Sequence, residues 1–462
     1  MNKYKKLAAN TIIFSLGSFS SKILSILLLR LYTGYMTEAD FSVAGKIQNI
    51  INLLGPVVTL SISESILRYG LNKKYNRKSV YSTGVITGLT GMAVGMIILW
   101  LIASFTQYKP YLPLMMVFLF TSEFRWMQQQ YTKVRNCIKL YTVDSILSTI
   151  SLVLFSLLFM VVFEMGIKGY ILSIILSDLC SIFFLMYFAR MMPDLKPAYV
   201  DTKLRKNMIR YSMPLIPTAV LWWVVSSSDL FMVSGFCGED VNGLYTAAYK
   251  IPNLISFVSV IFFRAWQISA ITEYNSKERA GYYTKVFGAY VSMMFVAASG
   301  IMMLLRPVTQ FLTAEKFWGS YKMAPFLVVG VLMQSFCNFL SSIYNAANNN
   351  TKSLTTSAAA AGINFALNLI LIPFVEVQGA AFATMAAYLS CFVIRLFDTQ
   401  KIAGYKIDFN NLIINLCILI LMAVVILADA PFMTLWLVAG FVATLAVNLK
   451  SLLQTASRLL RR

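Results

Sequence analysis

Fourteen runs of about 20 mostly apolar residues follow one another along the chain, at 7–31, 41–67, 80–105, 111–131, 141–164, 167–190, 209–235, 243–267, 284–306, 323–345, 354–375, 378–400, 411–428 and 431–448. A helix of about 20 residues rises about 30 Å, the thickness of the bilayer's hydrocarbon core, and keeps every backbone N–H and C=O bonded within itself. Little of the 462 residues is left over for a soluble domain. Charged residues make up 13%, against about 25% in a soluble chain. The expected fold class is therefore an all-α integral membrane protein with about 14 transmembrane helices. The first run is too long for a signal-peptide core and shows no clean cleavage site, so it is expected to stay as a span.

The net charge of +20 comes from 39 Lys and Arg against 19 Asp and Glu. In a soluble protein that excess would suggest nucleic acid, but here it sorts by side of the membrane. With residues taken alternately inside and outside from the N-terminus, the inner segments carry 27 of the 39 basic residues, the outer ones 5, and the spans themselves 7. By the positive-inside rule both termini are cytoplasmic. The outer segments, which hold Glu38, Asp40, Glu239 and Asp240, are net acidic. The charge is thus orientation and lipid-headgroup charge, and no nucleic-acid partner is expected.

The chain has no histidine, which removes histidine bases, Ser-His-Asp and Cys-His constellations and histidine metal sites together. The six cysteines, at 137, 180, 237, 337, 391 and 417, show no CxxC spacing and read as small apolar side chains. No enzyme activity, metal site or cofactor is expected, apart from a coupling Na⁺ or H⁺.

Residues 41–51, FSVAGKIQNII, echo residues 245–255, YTAAYKIPNLI, with Ala44/Ala248, Lys46/Lys250, Ile47/Ile251, Asn49/Asn253 and Ile51/Ile255 identical. A weaker echo relates 165–179 to 375–389. Both set the second half six spans after the first, and an even number of spans per repeat means parallel repeats about an axis along the membrane normal. The expected organisation is an N-terminal six-helix lobe, 1–190; a cytoplasmic linker, 191–208, carrying Pro193 and Pro197; a C-terminal six-helix lobe, 209–400; and two added helices with a basic tail, 401–462.

Ionisable side chains inside lipid cost roughly 2.5–3.5 kcal/mol each on insertion scales and need a reason. The basic ones are Lys22, Arg30, Lys46, Arg125, Lys250, Arg264 and Arg395; the acidic ones are Glu64, Glu123, Asp144, Asp178 and Asp229. Arg30, Glu64, Asp144, Arg264 and Arg395 lie near span ends, where a side chain can reach the headgroups. Lys22, Lys46, Asp178 and Lys250 sit too deep for that and are expected to face a watery cavity or a buried partner, an interhelical Lys–Asp pair being the plain structural alternative. Breaks accompany them: Gly55-Pro56 in the second span, Pro214 and Pro217 in the seventh, and Pro252 two residues after Lys250. Proline frees a backbone carbonyl, which membrane proteins tolerate where backbone lines a cavity or bends. A basic central cavity between rocking lobes suits an anionic cargo, phosphate or pyrophosphate above all. Its expected ligands are Lys22, Arg30, Lys46, Lys250 and Arg264 with Asn49 and Asn253, while Gln48, Asn52, Tyr245, Tyr249, Trp222 and Trp223 are available for attached sugars. Asp178, Asp229, Glu64 and Glu123 are expected to couple an ion or to form ion pairs. Lys46 and Lys250 should face one another across the cavity.

DLFMVSGFCGEDVNGLYTAAYKIPNL (229–254), SSIYNAANNNTKS (341–353) and AGINFALNLILIPFVEVQGAAFATMAAYL (361–389) resemble the polysaccharide-repeat-unit flippases of the multidrug/oligosaccharidyl-lipid/polysaccharide exporter superfamily. Carried over residue by residue, the resemblance rests on Asp229; on Gly243, Tyr245, Ala248 and Lys250 of a G-x-Y-x-x-A-x-K stretch; and on Asn364, Asn368, Pro373, Gly379, Ala380, Ala381, Ala383 and Thr384. It implies export of a polyprenyl-pyrophosphate-linked oligosaccharide, such as a capsule or O-antigen repeat unit, from the inner to the outer leaflet of a bacterial plasma membrane. Membrane lipids and a polysaccharide polymerase machinery are the implied partners. Two alternatives share the fold. A peptidoglycan-precursor flippase usually shows an Arg-Asp pair near the end of its first span, where this chain has Arg30-Leu31; a cation-coupled multidrug antiporter needs cavity carboxylates, where the first span here offers Lys22.

Overall fold

The computed structural model describes residues 27–460 apart from 273, 275 and 348, and no strand occurs among them. Every span expected from the second to the fourteenth is met by helix. Of the first span, 7–31, only residues 27–31 lie within the described residues, in a helix that runs on to 35. Nine helices are long and apolar enough to cross a membrane, or ten with one bent pair, among the described residues. The chain divides into two compact units, Met1–Trp223 and Val224–Arg462.

In the first unit the helix Leu112–Val134 is central, packing against Glu38–Val58, Ile62–Leu71, Arg77–Ala103, Ile138–Ser156 and Gly166–Phe188. The second span is broken. Glu38–Val58 opens on a capping box, in which Thr37 accepts from the Asp40 N–H and Asp40 from that of Thr37, and the chain turns by 54° before Ile62–Leu71. Pro56 stays inside the first helix, and the break falls four residues later, where Leu60 and Ser61 take positive φ of 55° and 49°. The bent span lies along glycines of Arg77–Ala103, with Val58 against Gly91 and Gly95 and Ile66 against Gly84. A Cβ on Gly91 would come 2.0 Å from the Val58 carbonyl oxygen, so only glycine allows this approach.

Residues 191–208 are pinned onto the first unit. Asp194 accepts from the Tyr131 hydroxyl at 2.8 Å, pairs with Arg135 at 3.3 Å and with Lys78 at 3.5 Å, and its carbonyl accepts from Ser82. Tyr131 in turn stacks on Tyr81 at 3.9 Å. The helix Thr202–Ser212 then buries Leu204, Met208 and Ser212 while Lys203, Lys206 and Arg210 stay exposed.

In the second unit Pro325–Ala346 is the most enclosed helix, packing against Asn253–Thr272, Arg279–Met303, Asn350–Ala403 and Phe409–Leu427. Asn350–Ala403 holds two expected spans folded back at Glu376, whose φ is 51°. Gly379 lies so close to the Leu371 backbone there that a Cβ would come 2.7 Å from its carbonyl carbon. The two added helices, Phe409–Leu427 and Met433–Leu460, join the unit through Arg279–Met303. On the opposite side, Lys322 donates to Asp429, and this bond holds the lysine's ammonium above the ordinary lysine range.

Gly91→Ala is expected to cost about 1–3 kcal/mol by overpacking. Gly281→Ala, whose Cβ would meet nothing within 4 Å, should be neutral or gain up to about 1 kcal/mol. Thermal unfolding of the purified protein checks this, and a Gly91 variant no less stable than the Gly281 variant would contradict the seating of the broken span.

Candidate functional site

The first unit keeps its charges in a network built on the central helix. Successive residues on a helix point about 100° apart, so the run Gln128-Gln129-Gln130 reaches three different neighbours. Gln128 accepts from the Tyr81 hydroxyl, Gln129 donates to Asp144 at 2.9 Å, and Gln130 donates to Glu64 at 3.1 Å. One turn earlier Arg125 donates to Asp178 at 2.7 Å and lies 4.0 Å from Asp144. Ser122 also donates to Asp178, at 2.7 Å, and Ser181 to Asp144. Asp144 is fully buried, so it does not reach the headgroups as its place near a span end suggested; the Gln129 amide and the Ser181 hydroxyl replace water. Two carboxylates thus share one guanidinium, with Ser122, Gln129 and Ser181 donating to them as well.

Glu123 faces the other way, onto the broken span. Its carboxylate packs against Gly55, where a Cβ would come 2.0 Å from Oε1, and it accepts from Thr59 at 3.3 Å. The Thr59 hydroxyl also donates to the Gly55 carbonyl at 2.7 Å. A carboxylate therefore sits at the bend itself, and Glu123 forms no ion pair among the described residues.

The second unit gathers the motif residues around Asp229. Gly238, at a φ of 91°, turns the chain from Leu215–Cys237 into Glu239–Lys250 and lays Tyr245 back on the preceding helix. The Tyr245 hydroxyl donates to Asp229 Oδ2 at 2.7 Å, Thr384 donates to the same oxygen at 3.2 Å, and Asp229 Oδ1 accepts from the Leu230 N–H at 2.9 Å. Asn364 donates to Thr384 at 3.2 Å and accepts from Asn368 at 3.1 Å and from Ser228 at 3.3 Å. The fold at Glu376 is what brings Thr384 of one arm beside Asn364 and Asn368 of the other. Asp229 is fully buried and forms no ion pair among the described residues. The Oδ1 of Asn368 and the hydroxyl of Tyr249, both buried, have no hydrogen-bond partner there. Carboxylate, amide and hydroxyl oxygens form a donor set suited to a hard monovalent cation or a proton.

The lysines expected to match do not sit alike. Lys46 is 2% exposed, with its ammonium 6.0 Å from the Tyr108 ring centre, whereas Lys250 is exposed and has neither hydrogen bond nor ion pair among the described residues. Asp229 bonds to Tyr245 and Thr384, so the Asp229–Lys250 pair offered as the structural alternative is absent. Tyr245 is fully buried against Asp229 and Gln48 accepts from Tyr170 at 2.8 Å, which engages both in the protein's own bonds instead of leaving them for sugars. Asn49 donates to the Gly45 carbonyl and its own carbonyl accepts from the Trp223 indole at 2.9 Å, while Asn253 starts the helix after Pro252. Arg30 is exposed at the end of the first span. Lys22 and the side chain of Arg264 lie outside the described residues. Arg395 does not reach the headgroups either: it is fully buried, donating to the Thr356 and Ser357 hydroxyls and to the Cys337 and Ser353 carbonyls at 2.9–3.1 Å. The sequence signal for the polar networks was present in the three adjacent amides of one span and in Asn364 and Asn368 one turn apart; their partners lie too far along the chain to be paired without the fold.

Comparison with known proteins gives the family. The polysaccharide biosynthesis protein family matches residues 7–267, more than half of the chain. The chain belongs to that family. No curated protein matches it. Among solved structures, the lipid II flippase MurJ in an inward closed conformation is similar with a TM-score of 0.69 at 14% identity, over 98% of this chain and 100% of that one. A multidrug resistance MATE family transporter of the MOP superfamily, inward-facing, gives 0.63 at 14% identity over 84% of this chain and 98% of that one. The Vibrio cholerae MATE transporter VcmN gives 0.61 at 14% identity over 86% and 96%. At such identities the likeness is one of fold, and it makes this family member a transporter-fold membrane protein. Coverage of 98% takes in nearly all of the two added helices.

Arg125→Met should strand two buried carboxylates and cost about 3–5 kcal/mol. Adding Asp144→Asn and Asp178→Asn should recover most of that loss, since the stranded charges go with their partner. Unfolding temperature and yield of folded protein read both. An Arg125→Met protein as stable as its parent would show that the network is not held by the guanidinium.

Proposed function

We propose that this protein is a flippase that moves a polyprenyl-pyrophosphate-linked oligosaccharide from the inner to the outer leaflet of a bacterial plasma membrane by alternating access. The observation that carries the reading is Lys250: an exposed ammonium, unpartnered among the described residues, at the end of a helix, one residue before a break at Ile251-Pro252, inside a family tied to polysaccharide biosynthesis. A lysine in a membrane span is costly unless an anion meets it, and a pyrophosphate is a strong anionic partner. Lys46, being buried, supports the helix more than it offers itself to a ligand, and the two lysines divide the work expected of them as a pair.

Export against a gradient needs a coupling reaction, and Asp229 fits it. An ionised carboxylate buried without a cation costs several kcal/mol, and Na⁺ or H⁺ cancels that charge. The orphaned Asn368 oxygen and the Asn364 and Thr384 oxygens would complete the coordination. The likeness to MurJ favours a second reading, a peptidoglycan-precursor lipid as cargo, which shares the pyrophosphate and differs in the sugar.

In membrane vesicles, Lys250→Glu is expected to abolish flipping of the lipid-linked oligosaccharide and Lys250→Arg to keep most of it, at equal protein level, because arginine keeps the sign of the charge. Equal loss from both would make Lys250 a packing residue. Offering the same vesicles lipid II separates the two cargoes. Orientation is tested in intact cells. Cys237, in the segment between the seventh and eighth spans, should react with an impermeant maleimide, and Cys137, between the fourth and fifth, should not; the reverse would invert the topology.

A further inference from the structure

A pocket of about 410 Å³ opens where the two added helices meet the rest of the second unit. Its walls come from Arg279–Met303, from the connection before Phe409–Leu427, and from Met433–Leu460, all at the ends expected on the basic, inner side of the membrane. Phe287, Val291 and Leu412 make the lower part apolar. Lys406 and Asp408, both exposed and two residues apart, set opposite charges on the rim.

The walls are fixed before any ligand arrives. The Lys406 N–H donates to the Thr284 hydroxyl at 2.9 Å, which holds the connection across the helix. Asp408 Oδ1 accepts from the Asn411 N–H at 3.0 Å and caps Phe409–Leu427, leaving Oδ2 available. Asn411 begins a buried amide ladder between the added helices: it donates to Asn448 at 3.2 Å, Asn448 donates to Asn415 at 2.8 Å, and Asn415 donates back to the Asn411 carbonyl at 2.8 Å. Such a satisfied ladder rigidifies a helix pair. Ser292, 2% exposed, lines the pocket, and its hydroxyl makes no hydrogen bond among the described residues.

We propose that this pocket binds the headgroup of a zwitterionic inner-leaflet phospholipid, an amine-bearing phosphodiester such as phosphatidylethanolamine, independently of the cargo. Lys406 takes the phosphate, the free Asp408 oxygen takes the ammonium, Ser292 takes a glycerol-ester oxygen, and the apolar wall takes the first methylenes of an acyl chain. A singly anionic headgroup without an amine would leave Asp408 facing it unpaired, so the charge pair itself selects the zwitterion.

The test is native mass spectrometry of the full-length protein in detergent, titrated with phosphatidylethanolamine, phosphatidylglycerol or polyprenyl phosphate. Gly288 lines the pocket and a Cβ there meets nothing within 4 Å, so Gly288→Leu fills the space without displacing backbone. The expected results are preferential retention of phosphatidylethanolamine by at least about tenfold, and its loss in Gly288→Leu. Lys406→Gln should weaken both phospholipids, whereas Asp408→Asn, which can still cap the helix, should abolish the preference for the amine. The preference surviving Asp408→Asn, phosphatidylethanolamine binding unchanged in Gly288→Leu, or loss of polyprenyl phosphate alone in that variant would each overturn the proposal, the last by assigning the pocket to the cargo's chain.

Discussion

In hydrocarbon no water stands ready to satisfy a polar group, so every charge within the spans must find its partner in the protein or in what the protein carries. Much of the structure follows from how each charge meets that demand. In the first unit the central helix Leu112–Val134 turns Arg125, Gln128, Gln129 and Gln130 towards different neighbours, and most of the acidic side chains around it find a donor. Arg395 in the second unit is met by the hydroxyls of Thr356 and Ser357 and the carbonyls of Cys337 and Ser353. These groups bind the helices to one another.

Three groups stand apart. Among the described residues, Glu123 lies against the bend of the second span with one hydroxyl as donor, Asp229 is buried without a cation, and Lys250 is exposed without an anion. The division separates what holds the bundle from what is left to engage a moving charge. The second unit offers a carboxylate enclosed by Tyr245, Thr384 and Asn364 beside a helix whose last residue is the open lysine, so the proposed cation and anion sites lie on consecutive elements of one unit. That proximity gives a cation a physical means of influencing an anion's binding, through the helix Glu239–Lys250 that carries both Tyr245 and Lys250.

The spans were legible because an apolar run of about 20 residues has one physical reading. The breaks were legible only approximately: Pro56 marks the second span as weak, yet the bend waits until Leu60, where the glycines of the neighbouring helix admit Val58. Depth along a span was a poor guide to burial. Arg395 and Asp144 lie near span ends and are fully enclosed, because the helices reach beyond the apolar runs and the serines and threonines around them stand in for solvent. The Lys46/Lys250 identity was visible as letters, but one lysine is mid-helix and buried and the other ends its helix, a difference set by Pro252 in one copy and its absence at the matching place in the other. The pinning of residues 191–208 by Asp194 left no local signal, since its partners are Lys78, Tyr131 and Arg135.

The most direct measurement is the flipping rate of a polyprenyl-pyrophosphate-linked oligosaccharide in proteoliposomes holding only this protein, with Na⁺ and H⁺ gradients imposed separately. A gradient of one of the two cations should accelerate flipping, and Asp229→Asn should remove that acceleration while the protein still folds. Flipping that ignores both gradients and proceeds equally well with Asp229→Asn would contradict a cation-coupled carrier of an anionic lipid.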